Sequence, residues 1–286
     1  MSNKTIVITG SSGGLGLQAA KRIADLDNTV IIASRNEKKG RQVEKEIGKN
    51  SYFMQLDVSS IESMDNFVKN FNKKFSKLDI LVNNAGIMLH PSKKTKDGTE
   101  ITFATNYLGY FYLSLKLIPN LVSSSDPKII NVSSISSYHI DKINWDYFNP
   151  IKKISSFKEK REIYAHTNLF RLMFSIELQK RFNKKSIPIK SIACHPGVAK
   201  SQLGRYFFLA KLIYALPVMA SSREGVKSII FSCINQNLNG GEFVGLDTKR
   251  QHRGDPTIVK PNPIVEIEDQ RNKLWQMTSE KCGIDL

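Results

Sequence analysis

Short, nearly continuous apolar runs alternate along this chain with longer segments whose apolar residues recur every three or four positions. The runs Thr5–Thr9, Thr29–Ser34, Ser51–Leu56, Ile80–Asn83, Lys128–Val132, Ile189–His195 and Glu242–Gly245 predict strands. Several carry no polar face, as strands covered on both sides should. Helical segments fall between them, so the chain predicts an α/β fold, a doubly wound, seven-stranded parallel sheet in three α/β/α layers. Ser59 with Glu62 predicts a capping box for the helix through Phe67 and Phe71. Ser221 with Glu224 predicts another before Ile229 and Ile230.

Two stretches break the rhythm. Residues 137–162 form a polar insert with Trp145, Tyr147, Phe148 and Pro150, and residues 197–221 form an aromatic, apolar substrate-loop region. Past Asp247 a C-terminal extension, 247–286, stays polar and Pro-containing until a last helix near Ile267–Met277. No linker or repeat divides the 286 residues, which fit a single domain, 1–286. The apolar segment Tyr206–Ala220 is too short and too broken, by Lys211 and Pro217, to span a bilayer. It suits a lid over a lipophilic substrate, with peripheral membrane contact as the alternative. Cys194, Cys233 and Cys282 make no CxxC pair and no metal spacing, which points to reduced thiols and a cytoplasmic setting.

Candidate chemistry begins after the first strand, at Thr9-Gly10-Ser11-Ser12-Gly13-Gly14-Leu15-Gly16. Glycines there let the backbone turn sharply and approach a pyrophosphate, and the helix that follows offers free N–H groups and a favourable dipole. No Gly-Lys-Ser/Thr ending follows, which argues against a Walker-type site. With these residues the chain resembles the short-chain dehydrogenase/reductase family, whose nucleotide signature is T-G-x-x-x-G-x-G. Further matches are Asp57-Val58 after the third strand, Asn83-Asn84-Ala85-Gly86 ending the fourth, and Asn106 within Thr105–Gly109. Ser133-Ser134 ends the fifth strand, and Pro196-Gly197-Val198 with Ser201 follows the sixth. The insert, the aromatic loop and the Asn106 motif look like the retinol-dehydrogenase-like and protochlorophyllide-reductase-like branches.

The resemblance implies a Rossmann-type fold and an oxidoreductase that interconverts a carbonyl and an alcohol with a nicotinamide cofactor. It places the cofactor on Gly10, Ser12, Gly14, Leu15, Gly16, Ser34, Arg35, Asp57, Val58, Asn84, Ala85, Gly86, Tyr164, Pro196, Gly197, Val198 and Ser201. A carboxylate at the end of the second strand would repel a 2′-phosphate, whereas Ala33-Ser34-Arg35-Asn36 offers a hydroxyl and a guanidinium. NADP(H) is therefore preferred to NAD(H). By the same resemblance Tyr164 moves the proton, Ser134 holds the oxygen and Asn106 belongs to the proton relay. The family has a lysine four residues after the tyrosine, on the same helix face; this chain has Asn168. Asparagine can contact a ribose but carries no charge, and a cation about 4 Å from a phenolate is worth up to ~4 kcal/mol at an effective dielectric near 20. Carbonyl reduction, which uses the neutral phenol as acid, suffers less from that loss than alcohol oxidation. The leading expectation is an NADP-dependent reductase for an apolar small molecule. The alternative is a catalytically impaired, NADP-binding pseudoenzyme serving as sensor or scaffold.

His166, two positions past Tyr164, and His195, ending the sixth strand, read as packing positions, and no metal set is present in the sequence. The run Thr102–Leu121 reads as core on one face; the resemblance implies a subunit contact on the other, and monomer and homo-oligomer both stay open. Forty-two Lys and Arg against 26 Asp and Glu leave +16. These cations are scattered over helix faces and loops, and no specific nucleic-acid module accompanies them.

Overall fold

The computed structural model describes residues 2–91, 94–149, 154–199, 203, 206 and 221–286. Its strands are β1 (Thr5–Thr9), β2 (Thr29–Ser34), β3 (Ser51–Gln55), β4 (Ile80–Asn83), β5 (Lys128–Val132), β6 (Lys190–Cys194), β7 (Phe243–Leu246) and β8 (Pro256–Ile258). The order across the sheet is β3-β2-β1-β4-β5-β6-β7-β8. The first seven run parallel, with Thr5 opposite Thr29 and Ile6 opposite Ile80 on the two sides of β1. The eighth strand corrects the predicted seven. It pairs antiparallel with β7, Val244 facing Ile258, and it begins on Pro256, tolerable only at an edge where no N–H is needed.

Helices α1 (Gly14–Ala24), α2 (Glu37–Ile47), α3 (Ile61–Lys74), α4 (Ile101–Phe103), α5 (Gly109–Leu121), α6 (Phe157–Lys184), α7 (Ser222–Gly225), α8 (Lys227–Ile234) and α9 (Glu268–Cys282) complete the layers. Alternation along β1 explains the two cores. Ile6 and Ile8 face one way, with Ala20 and Ile23 of α1 and Ile229 of α8. Val7 faces the other, with Phe67 of α3, Phe111 of α5, Leu172 of α6 and Trp275 of α9. Each buried Ile, Val, Leu or Phe among them contributes about 1.5–3 kcal/mol of transfer free energy.

Local chemistry sets the helix starts. The Ser221–Glu224 capping box forms, as does one at Ser156–Glu159 that opens α6. The first predicted box does not. Asp57 takes both the N–H and the hydroxyl of Ser59, so Ser60 becomes the cap and accepts from Ser63 N at 3.2 Å. Between α4 and α5 a π-turn, Ala104–Leu108, widens the helix. The combined segment is buried nearly all round. Helix α9 packs on its core side, through Tyr107 Oη to Thr278 Oγ1 at 2.8 Å and Trp275 edge-on to Phe111 at 4.9 Å.

Among its described residues the insert holds two short 3₁₀ turns, Ile135–His139, which begins just before it, and Trp145–Phe148, and it ends in the first turns of α6. Asn262 of the extension ties it down by donating to Ser137 O and Ile140 O. Residues 150–153 and most of the 197–221 loop, including Ser201, lie outside the described residues. Among the described residues no helix is long and apolar enough to cross a membrane.

Candidate active site

Because β2 and β3 lie on one side of β1 and β4 on the other, the loops leaving β1 and β4 diverge and open a crevice at their C-terminal ends. Thr9 holds the two loops in register. Its hydroxyl donates to Val82 O and accepts from both Asn84 N and Ala85 N at 2.9 Å, while Asn84 Nδ2 donates to Thr9 O at 2.8 Å. The glycines are required by space. Gly10 has φ +70°, and a Cβ on Gly16 would stand 2.5 Å from Asn84 Nδ2 and 2.7 Å from Gly10 O. Helix α1 begins on this turn with no side-chain cap and no acidic residue in its first turn. Its N–H groups are therefore left for an anion.

The crevice is a cavity of about 770 Å³. The glycine turn is its middle. One end is formed by Ser34, Arg35, Asn36, Lys39, Asp57 and Val58, the other by Asn84–Gly86, Ser134, Tyr164 and Pro196–Val198. At the first end Ser34 Oγ is buried without a partner, and Arg35 reaches Asp57 only at 3.9 Å, with both side chains partly exposed. At the other end Gly197 takes φ +68° against His252 O. His195 is fully buried beneath this loop. Its Nδ1 accepts from Gly197 N at 3.1 Å and its Nε2 meets Gln251 Oε1 at 2.6 Å, while burial lowers its pKa to about 4. A neutral imidazole donating from Nε2 satisfies both contacts. These residues fit a nicotinamide dinucleotide, with an uncapped helix N-terminus for the pyrophosphate, an orphaned hydroxyl and a guanidinium at the ribose end, and a phenol and a serine at the other.

The short chain dehydrogenase model matches residues 4–145. Human retinol dehydrogenase 12 is 32% identical over 99% of this chain and 88% of its own length. The chain belongs to the short-chain dehydrogenase family. Human polyprenol dehydrogenase is 30% identical over 99% of this chain and 86% of its own length. The crystal structure of 3-ketoacyl-(acyl-carrier-protein) reductase from Brucella melitensis, complexed with NADH, superposes with a TM-score of 0.69. It covers 87% of this chain and 99% of its own at 23% identity.

In this short-chain dehydrogenase, Tyr164 and Ser134 line the cavity, whereas Asn106 and Asn168 stand behind its wall. Asn106 is fully buried. It donates to Ile87 O and accepts from Ile87 N, both at 2.9 Å, so its amide fixes the loop after Gly86. Asn168 is also fully buried. Its Nδ2 donates to Tyr164 O at 2.8 Å and to Ser136 Oγ at 3.3 Å, and its Oδ1 accepts from Arg171 Nη1 at 3.0 Å. Both N–H groups of the amide are thus taken within the protein.

Arg171 is the residue the motifs do not reveal. It lines the cavity although it is only 4% exposed. Its Nε donates to Asn106 O, a carbonyl in the π-turn; Nη1 also donates to Val132 O at 2.9 Å, and Nη2 to Ala85 O at 3.4 Å. The guanidinium sits 4.2 Å from the centre of the Tyr110 ring. The signal in the sequence was a lone cation within the apolar run Leu169–Phe174. His166, by contrast, packs on Tyr147 and Phe170 and accepts from Asn144 N. The three cysteines are free and buried, and burial pushes the Cys233 and Cys282 thiols up to about 12. Among the described residues no His, Cys, Asp or Glu cluster could hold a metal ion.

Proposed function

We propose that this protein is an NADP(H)-dependent reductase converting an apolar aldehyde or ketone to the alcohol. The observation that carries this is one cavity with the uncapped α1 N-terminus and Gly10–Gly16 turn at its middle and Ser134 with Tyr164 at its end. When bound, a reduced nicotinamide supplies the hydride. Ser134 Oγ holds the carbonyl oxygen, and Tyr164 Oη gives it a proton as the carbon is reduced. Ser134 is set for this by the N-cap position it occupies, where its Oγ accepts from Ser136 N at 3.2 Å. Asn106 acts behind the wall through the loop it fixes. Preference for the 2′-phosphorylated cofactor is supported by Arg35, Lys39 and the unpartnered Ser34 hydroxyl at one end of the cavity.

An apolar substrate is supported by Ile87, Met88, Leu89, Phe157 and Tyr206 along the far wall, and by relatives named for retinol and polyprenol. Buried, free thiols suit a reducing, cytoplasmic compartment. A second reading, a protein that binds NADP(H) without turnover, is favoured by the uncharged, fully engaged Asn168. NADPH fluorescence on titration, followed by NADPH consumption against a panel of aldehydes and ketones, separates the two. Binding with consumption supports the reductase, and binding without consumption supports the second reading. Absence of binding refutes both.

A further inference from the structure

One side chain outside the cavity reaches the loop that walls its catalytic end. We propose that Gln251 is a positioning residue for the cofactor, holding the Pro196–Val198 wall of the cavity in place through His195. This rests on the dinucleotide reading above. Strand β7 ends at Leu246 and β8 begins at Pro256, so residues 247–255 turn the chain back between antiparallel strands. The turn is closed at its base, where Asp247 N donates to Asp255 O at 3.0 Å and Asp255 N to Asp247 Oδ1 at 2.9 Å. Helix α8 holds it through Lys227 Nζ, 2.8 Å from Asp255 Oδ1. Gln251 N donates to Thr248 O at 2.9 Å, and Gln251 takes φ +50°, left-handed backbone that a non-glycine residue keeps only where its surroundings fix it.

The contacts that fix it lead to the cavity. Gln251 Oε1 accepts from His195 Nε2 at 2.6 Å, and His195 Nδ1 accepts from Gly197 N at 3.1 Å. The adjacent His252 O accepts from Val198 N at 3.0 Å. Gln251 Nε2 donates to Tyr138 Oη at 3.4 Å, and Tyr138 Oη donates to Lys260 O at 2.7 Å, which orients the amide with its oxygen toward the imidazole. Gly245 leaves the room for this meeting: an added Cβ would collide with Gln251 Oε1 and stand 2.7 Å from His195 Nε2. Pro196, Gly197 and Val198 line the cavity, whereas Gln251 and His195 stand behind it. With Nδ1 accepting from Gly197, the ring proton sits on Nε2 and needs an acceptor in a fully buried place. Without Gln251 Oε1 that N–H is orphaned, and the other tautomer would set a ring N–H against the Gly197 N–H, donor to donor. Either way Gly197 loses its anchor.

The test uses the full chain with Gln251→Leu, which removes the amide at nearly constant length, and Gln251→Glu, which keeps an acceptor for Nε2. The first readout needs no cofactor. It is hydrogen exchange of the Gly197 and Val198 amides, with the amides of β1 and β4 as internal standard. Gln251→Leu is expected to lower protection at Gly197 and Val198 by about 3–10-fold, the worth of one net hydrogen bond, and to leave the sheet amides as in the parent. The second readout is the affinity for NADPH beside that for adenosine 2′,5′-bisphosphate, which carries only the half of the cofactor assigned to the Arg35 end. Gln251→Leu is expected to weaken NADPH binding by about 3–10-fold and to leave bisphosphate binding unchanged. Gln251→Glu, assayed at about pH 9 where the imidazole is neutral, is expected to bind NADPH as the parent does.

Unchanged exchange at Gly197 in Gln251→Leu overturns the proposal, and so does unchanged NADPH affinity. Equal losses for NADPH and the bisphosphate, or a general loss of sheet protection, would show a merely structural residue and overturn it as well. So would a Gln251→Glu protein that binds NADPH no better than Gln251→Leu. Should Gln251→Leu fail to fold, Gln251→Ala, which opens the half-buried site to water, carries the same expectations. A parent that binds no NADPH would refute the dinucleotide reading, and the exchange readout then judges Gln251 by itself.

Discussion

Replacing Thr9 by valine keeps the shape and the β-branch of the side chain and removes one oxygen. That oxygen accepts from Asn84 N and Ala85 N and donates to Val82 O, at the junction where the loops of β1 and β4 part. Thr9 itself is fully buried, and its hydroxyl is the acceptor that the N–H groups of the half-buried Asn84 and Ala85 face in the fold. A buried donor left without an acceptor costs about 1–3 kcal/mol. Two such donors make an expected loss of about 2–6 kcal/mol. For a domain of this size that corresponds to a fall in Tm of roughly 5–15 °C. Because Gly10 and Gly86 ride on the two loops, NADPH affinity should fall severalfold as well. Urea unfolding followed by circular dichroism gives the stability, and fluorescence titration gives the affinity. Thr9→Ser, which restores the oxygen, should recover most of both. A Thr9→Val protein within ~0.5 kcal/mol of the parent would refute the role given to this hydroxyl.

Two further tests address the cavity ends. Arg35→Ala should weaken NADPH binding by roughly 10–100-fold, the worth of a charge-assisted hydrogen bond to the 2′-phosphate, and leave NADH binding unchanged; equal losses for the two cofactors would count against the assignment. His195 is held neutral in the fold, with its pKa lowered from 6.5 to about 4 by burial. Below pH 6.5 the unfolded chain binds a proton that the folded chain does not, so stability is full above that pH and is lost as the pH falls toward 4. Between pH 6.5 and 5 this amounts to about 2 kcal/mol, and His195→Gln, which keeps an acceptor for Gly197 N, should flatten that part of a urea-midpoint profile. An unchanged slope would show that the imidazole titrates in the fold.

The strands and the glycine turn that lines the cavity were legible because each depends on local rules. Largely apolar runs mark β1, β2, β4 and β5 to both their ends. The glycines at 10 and 16 answer a steric demand that exists before any tertiary contact is known. What was not legible depends on contacts between distant parts of the chain. Strand β8 is three residues with a leading proline, and only pairing with β7 makes it a strand. The start of α3 shifted by one because Asp57, outside the helix, competes for Ser59. Asn168 could be recognised as a departure from the motif, but not its partner. Arg171 lies in an apolar stripe, and only the folded chain shows it joining the ends of β4 and β5 to the π-turn.

The central claim is that Tyr164 protonates a carbonyl oxygen in a cavity that also holds NADPH. Tyr164→Phe removes the proton and leaves the ring, so the comparison of NADPH consumption and NADPH affinity in parent and variant tests it most directly. The account predicts consumption with an apolar aldehyde by the parent, a loss of at least about 100-fold in the variant, and a much smaller change in NADPH affinity, since only one of the cofactor's many contacts is altered. Consumption by Tyr164→Phe at the parent rate would contradict it.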